Sequence, residues 1–158
     1  MTSTQSVIGT KLYVGTKAVS LTGDSYLRVG IVENFGEFGD EAEVIKFNAA
    51  DEGKVYKSKG IVDPGSMNIM LADLEGDPGR ERLEAAMGDP NAYNFKLEKD
   101  DAPRDEDGLI VGTPTTFYFR SLVVSTRRSV GGSSDTWKRN LKLELTESYQ
   151  SVPAAAST

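Results

Sequence analysis

Five acidic residues, Asp100, Asp101, Asp105, Glu106 and Asp107, crowd one short stretch of this chain. Clustered carboxylates can ligate calcium or act as the acid and base of glycoside hydrolysis. The spacing argues against the calcium loop, because Pro103 and Arg104 stand where DDAPRDEDGLIV would need ligands. A solvated loop is therefore the expected role. Arg127 and Arg128 lie beside Gly131, Gly132, Ser133 and Ser134 and could form a basic hairpin tip, but two arginines in a net acidic chain are a poor nucleic-acid footprint. A structural or interface role is expected for them. Trp137, Tyr118 and Phe117 are candidates for a sugar-stacking platform, although aromatic residues on alternating strands more often serve a core or a subunit contact. The glycines Gly36, Gly39, Gly131 and Gly132 match neither phosphate-loop pattern and read as turns.

The chain contains no histidine and no cysteine. That excludes histidine-based triads, the usual zinc sites, cysteine nucleophiles and disulfides. Only carboxylates, Ser, Lys and Tyr remain for chemistry, in no recognisable arrangement, so an enzyme is not expected, and neither a cofactor nor a metal.

The elements that must position these residues are strands. Met67, Ile69 and Leu71 alternate with other residues on one face; so do Tyr93, Phe95 and Leu97, and Leu141, Leu143 and Leu145. Further strands are expected at Lys11–Val14, Tyr26–Phe35, Glu43–Phe47, Lys54–Ile61 and Thr115–Thr126, between clusters of Gly, Asp, Asn and Pro. One short helix is predicted, with Asp77 as N-cap, Pro78 at its first position, Leu83, Ala86 and Met87 on one stripe, and Gly88 as its stop. Two stretches, Phe47–Lys59 and Lys99–Pro114, read as long excursions.

With 158 residues, the chain is expected to form a single domain, residues 1–158, with an N-terminal arm over about 1–9 and a C-terminal tail over about 150–158. Ordering such tails costs roughly 1–2 kcal/mol per residue, so an ordered tail implies something that holds it, and a neighbouring subunit is the expected candidate. Twenty-four acidic against eighteen basic residues give a net charge of −6. Residues 1–9 lack the pattern of a signal peptide, and no stretch approaches the ~20 apolar residues that span a bilayer. Synthesis in a cytoplasm, with no membrane partner, is expected.

In order, GTKLYVG, RVGIVENFGEFGDEAEVIKF, FNAADEGKVYKSKG, SMNIMLADL, GDPGRERLEAAMGD, YNFKLEKD, TTFYFRSLVVSTRRSV and WKRNLKLELTES resemble the strands, polar loop, single helix and closing strand of the tail tube proteins of long-tailed, non-contractile phages and related phage-like particles. The resemblance covers nearly the whole chain. It departs from the basic pattern in the length of the Lys99–Pro114 turn and in lacking an immunoglobulin-like domain after Tyr149, which implies an undecorated tube. It implies a mostly β fold of two packed antiparallel sheets, sandwich-like or barrel-like, with one flanking helix.

It also implies a virion protein made in the bacterial host, which joins copies of itself into six-fold rings and stacks the rings into a conduit for DNA. The partners implied are the tail tip, tape measure and terminator proteins. Genomic DNA would pass through the lumen without specific binding, since acidic walls repel phosphate. The expected inter-ring stacking loop uses Phe47, Asp51, Glu52, Lys54, Val55, Tyr56 and Lys57, and the acids expected to face the lumen are Glu33, Glu41, Glu43 and Asp73. Two other readings stay open: a tube protein like that of type VI secretion, and a monomeric β-sandwich that binds carbohydrate or calcium.

Overall fold

The computed structural model describes residues 4–157, so the outermost residues of both expected tails, 1–3 and 158, lie outside it. The chain is mostly β and antiparallel, with strands β1 Lys11–Val14, β2 Leu27–Val29, β3 Val32–Asn34, β4 Glu41–Ala49, β5 Lys54–Asp63 and β6 Ser66–Ala72. After the one helix, α1 Pro78–Met87, come β7 Tyr93–Glu98, β8 Gly112–Thr113, β9 Thr116–Ser129, β10 Lys138–Leu145, β11 Gln150–Val152 and β12 Ala155–Ala156.

The main sheet runs β2-β1-β7-β9-β10-β6-β3. Its first and last strands are two halves of one segment, residues 27–34, so the sheet curls until its edges return to the same stretch of chain. This corrects the single strand expected over Tyr26–Phe35. The break falls at Gly30 and Ile31, where Ile31 has φ 51°. At that kink the chain leaves β1, to which Val29 pairs through Leu12, and joins β6, to which Val32 pairs through Leu71.

The three predicted alternating faces all point into this curled sheet. Met67, Ile69, Leu71, Phe95, Leu97, Leu141, Leu143 and Leu145 are buried together with Leu12, Val14, Val29 and Phe119. The Phe95 and Phe119 rings stack in parallel, 5.6 Å apart. Burying each such side chain stabilises the fold by roughly 1.5–3 kcal/mol.

Helix α1 covers part of this core with Leu83 and Ala86. Met87 is exposed, contrary to expectation, because the buried stripe runs through Gly79, Arg80, Leu83 and Ala86. Asp77 holds the N-cap position in extended conformation without a side-chain cap, and Gly88 ends the helix in the right-handed region. Two buried arginines tie the helix to the sheet: Arg80 donates to the Gly30 carbonyl at 2.7 Å and Arg139 donates to Glu84 at 2.6 Å.

The C-terminal tail pairs with strands of its own chain. The long β9 outruns β10, and β11 fills that edge by pairing Gln150 with Tyr118 and Val152 with Thr116. Beyond it, β12 pairs with β8 and so pins the Lys99–Pro114 excursion.

Candidate functional site

The other expected excursion, Phe47–Lys59, is the distal part of a hairpin. β4 and β5 pair along almost their whole length, from Glu41 with Asp63 to Ala49 with Lys54, across a turn in which Gly53 has φ 63°. This hairpin forms a sheet of its own and packs substantially on no other element. Strands of nine and ten residues reach about 30 Å.

Register sorts its side chains onto two faces. Ile45, Phe47 and Tyr56 share one, with Ala49, Lys54 and Ser58; Val44, Lys46, Asn48, Val55, Lys57 and Lys59 share the other. The first face is apolar and open to solvent, Phe47 being 68% exposed. On it Lys54 lies 4.9 Å over the Tyr56 ring, and the Tyr56 hydroxyl donates to Glu52. On the second face Lys46 stands directly opposite Lys57, a like-charge pair that disfavours the isolated hairpin. The seven residues expected in a stacking loop are thus brought together on one projecting element, with Asp51 in its turn. Lone two-stranded hairpins are marginal in water, and this one leaves its large apolar side chains uncovered.

The four acids expected to line a lumen fall into two places. Glu41 and Glu43 sit at the base of the hairpin. Glu33 pairs with Lys138 at 2.9 Å, and Asp73 is only 13% exposed, held between Arg128 at 3.1 Å and Arg139 at 3.4 Å. Arg128 is therefore committed to a clamp between sheet and helix rather than to a basic tip, with Glu84 also 3.9 Å away.

The carboxylate stretch does not converge on a common point. Asp101 accepts from the Thr115 amide and hydroxyl, while Asp105 accepts from the Asp107 and Leu109 amides. Burial would raise the Asp101 carboxyl, but those Thr115 hydrogen bonds outweigh it and hold it below its ordinary value. Among the described residues no three acids are grouped so as to hold a metal ion. The aromatic trio is scattered as well. Phe117 packs against Phe38 and Tyr149, Tyr118 against Tyr26, and Trp137 lies beyond the far end of β9, more than ~30 Å along the strand.

Sequence reasoning missed the exposed Ile31 and Leu74, which lie near the sequence candidate Trp137; Trp137 is 56% and Ile31 63% exposed. The Ala72 amide donates to the Ile31 carbonyl and the Asp73 amide to the Trp137 carbonyl, so the three residues flank the end of β6. No motif links them; only the pairing of β6 with β3 and β10 does.

No family model matches this sequence, and no curated protein does. Solved structures do match the fold. A chain of the anti-feeding prophage baseplate aligns with TM-score 0.69 at 12% identity, over 97% of this chain and 98% of that one. The fold is that of tail tube proteins. The sheath/tube terminator of the PVC extracellular contractile injection system aligns with TM-score 0.64 at 10% identity, covering 96% of this chain and 99% of that one. The SPP1 tail tube aligns with TM-score 0.58 at 14% identity, over 94% of this chain and 78% of that one. No helix among the described residues is long and apolar enough to cross a membrane.

Proposed function

We propose that this chain is a structural, non-enzymatic subunit that assembles with copies of itself into stacked rings, forming the tube of a phage tail or phage-like particle. The observation that carries the reading is the β4–β5 hairpin, an element with exposed apolar side chains and a like-charge lysine pair that its own barrel does not cover. A second copy would bury Phe47, Val55 and Tyr56 at ~25 cal/mol per Å², while rim charges at Asp51, Glu52, Lys54 and Lys57 add only about 0–1 kcal/mol each and set register.

In this reading the rings are six-fold, the tube ends on tip and terminator proteins, encloses a tape measure protein, and passes DNA. Of the lumen candidates, Glu41 and Glu43 remain available to repel phosphate, and Glu33 and Asp73 contribute less because cations neutralise them. Negative-stain electron microscopy of the purified protein over a concentration series tests the proposal. Rings or hollow tubes are expected; uniform monomers at every concentration, with the tip and terminator proteins also present, would sink it and favour the monomeric sandwich.

One observation favours a second reading, a tube inside a contractile injection particle carrying protein cargo: matched folds come from such a system. A sheath gene beside the coding sequence would decide for it.

A further inference from the structure

We infer that helix α1 is a strap that holds the barrel's seam shut, with Arg80 as its clasp, and that the seam is where the folded molecule opens first. Three observations carry it.

The first is the weakness of the seam itself. Both edges of the main sheet end in residues 27–34, where β2 and β3 have three residues each. β3 meets β6 only through Val32 with Leu71 and Asn34 with Met70, across an irregular register. Between the two short strands Ile31 holds φ 51°, a left-handed conformation that is unfavourable for a β-branched residue. The backbone alone therefore holds this joint less firmly than the long ladders of β10 hold β6 and β9.

The second is what α1 does there. Arg80 donates from Nη2 to the Gly30 carbonyl at 2.7 Å, and Arg82 donates from Nη1 to the Ser25 carbonyl at 2.8 Å, so two arginines of the helix grip the chain on both sides of β2. Gly79 seats the same turn directly on β2, since a Cβ there would lie 2.3 Å from the Arg28 carbonyl. One turn further along, Glu84 ties the helix to β10 through Arg139 at 2.6 Å. The helix thus bridges the seam and β10.

The third is the cost of the clasp. Arg80 is 4% exposed, yet its Nε and Nη1 have no hydrogen-bond partner among the described residues, and neither has the facing Asp77 Oδ2, 3.8 Å from Nε. A buried ion pair so incompletely satisfied lends little stability, and an apolar side chain of similar volume commonly serves a fold as well or better. What such a side chain could not supply is the hydrogen bond to the carbonyl at the kink. When the seam opens, β3 leaves β6 and bares its edge at Met70–Ala72. An unpaired edge is a template for strands of other chains, so the strap guards the subunit against pairing out of place.

Hydrogen exchange read by mass spectrometry on the dilute, soluble protein tests this. In Arg80→Met the amides of residues 27–34, and that of Ala72, which donates to the Ile31 carbonyl, are expected to exchange about tenfold faster than in wild type. Those of β9 and β10 should keep their rates, and the melting temperature should stay within a few degrees. Seam amides as protected as in wild type overturn the strap. So does a rise shared equally by β9 and β10, which marks Arg80 as an ordinary contributor to global stability. The wild type gives a second measurement that needs no variant. As urea is raised below the unfolding transition, the seam is expected to exchange through a partial opening, with a shallower urea dependence than β9 and β10 show. A seam that exchanges only with global unfolding overturns the strap, even where Arg80→Met fails to fold.

Discussion

Single positions in this barrel set opposing effects against each other, and magnitudes decide which wins. Gly79 sits in the first turn of α1, where alanine is intrinsically favoured by about 1 kcal/mol. A Cβ there would come within 2.3 Å of the Arg28 carbonyl, a backbone atom of β2 that cannot step aside. Overpacking of this kind costs about 1–3 kcal/mol, so Gly79→Ala is expected to lower stability, as urea denaturation would report. Asp24 gives the second case. It accepts from the Thr16 amide and hydroxyl, the Ser25 amide and the fully buried Asn94 side chain, so the loop between β1 and β2 lies clasped over β7. Asp24→Ala orphans those donors and is expected to cost about 2 kcal/mol. Burial would raise the Asp24 carboxyl, but these hydrogen bonds outweigh it and hold it below its ordinary value. Asp89, hydrogen-bonded by Lys17 and Asn91, is pushed down to about 2. A carboxylate depressed by folding contributes stability above its unfolded pKa, about 4, and loses it as pH falls through the folded value. Stability should thus be level above pH ~5 and decline between about 4 and 2, followed by fluorescence of Trp137 or by circular dichroism.

Elements divide into those that the barrel needs and one that it does not. Because β4 and β5 pair only with each other, replacing residues 44–59 by a two-residue Asn-Gly turn should leave the barrel folded, with a melting temperature within a few degrees of wild type, while abolishing tubes. Loss of the barrel itself would show that the hairpin supports its own subunit. The same division explains what was legible in the sequence. Strands with one buried face announce themselves by alternation, as Met67, Ile69 and Leu71 do, because a one-residue slip would turn the whole set to solvent. The hairpin has no buried face on its own chain, so its pattern was read as two strands, Glu43–Phe47 and Lys54–Ile61, overlapped by a long excursion over Phe47–Lys59. The two-residue strands β8 and β12 carry no periodicity at all, and their pairing joins residues far apart in sequence, Gly112 with Ala156 and Thr113 with Ala155. Met87 was misplaced because the helix is only ten residues long and its stripe includes a buried arginine, Arg80, that pattern reasoning assigns to solvent.

At the scale of the whole molecule, closure and association govern behaviour that no strand reveals alone. The curl of the sheet depends on Ile31, a residue type that signals no turn, so the order of strands was legible while the closure through residues 27–34 was not. Once closed, the barrel protects its edges, and the hairpin carries the largest run of exposed apolar side chains, with others at Val7, Ile8, Val19 and Leu109–Val111. A molecule that folds alone but associates through such surfaces must melt in a concentration-dependent way. Association that is favoured only in the folded state adds RT ln(1 + [L]/Kd), about 2.7 kcal/mol at a hundredfold excess over Kd. For a chain of 158 residues each kcal/mol moves the midpoint by about 2–4 °C. Wild-type protein is therefore expected to gain roughly 5–10 °C in melting temperature between a concentration near Kd and one a hundredfold higher. The hairpin-truncated protein should melt at one temperature throughout. Differential scanning calorimetry over that range separates the two, and a concentration-independent midpoint for the wild type would show that the exposed hairpin does not serve self-association.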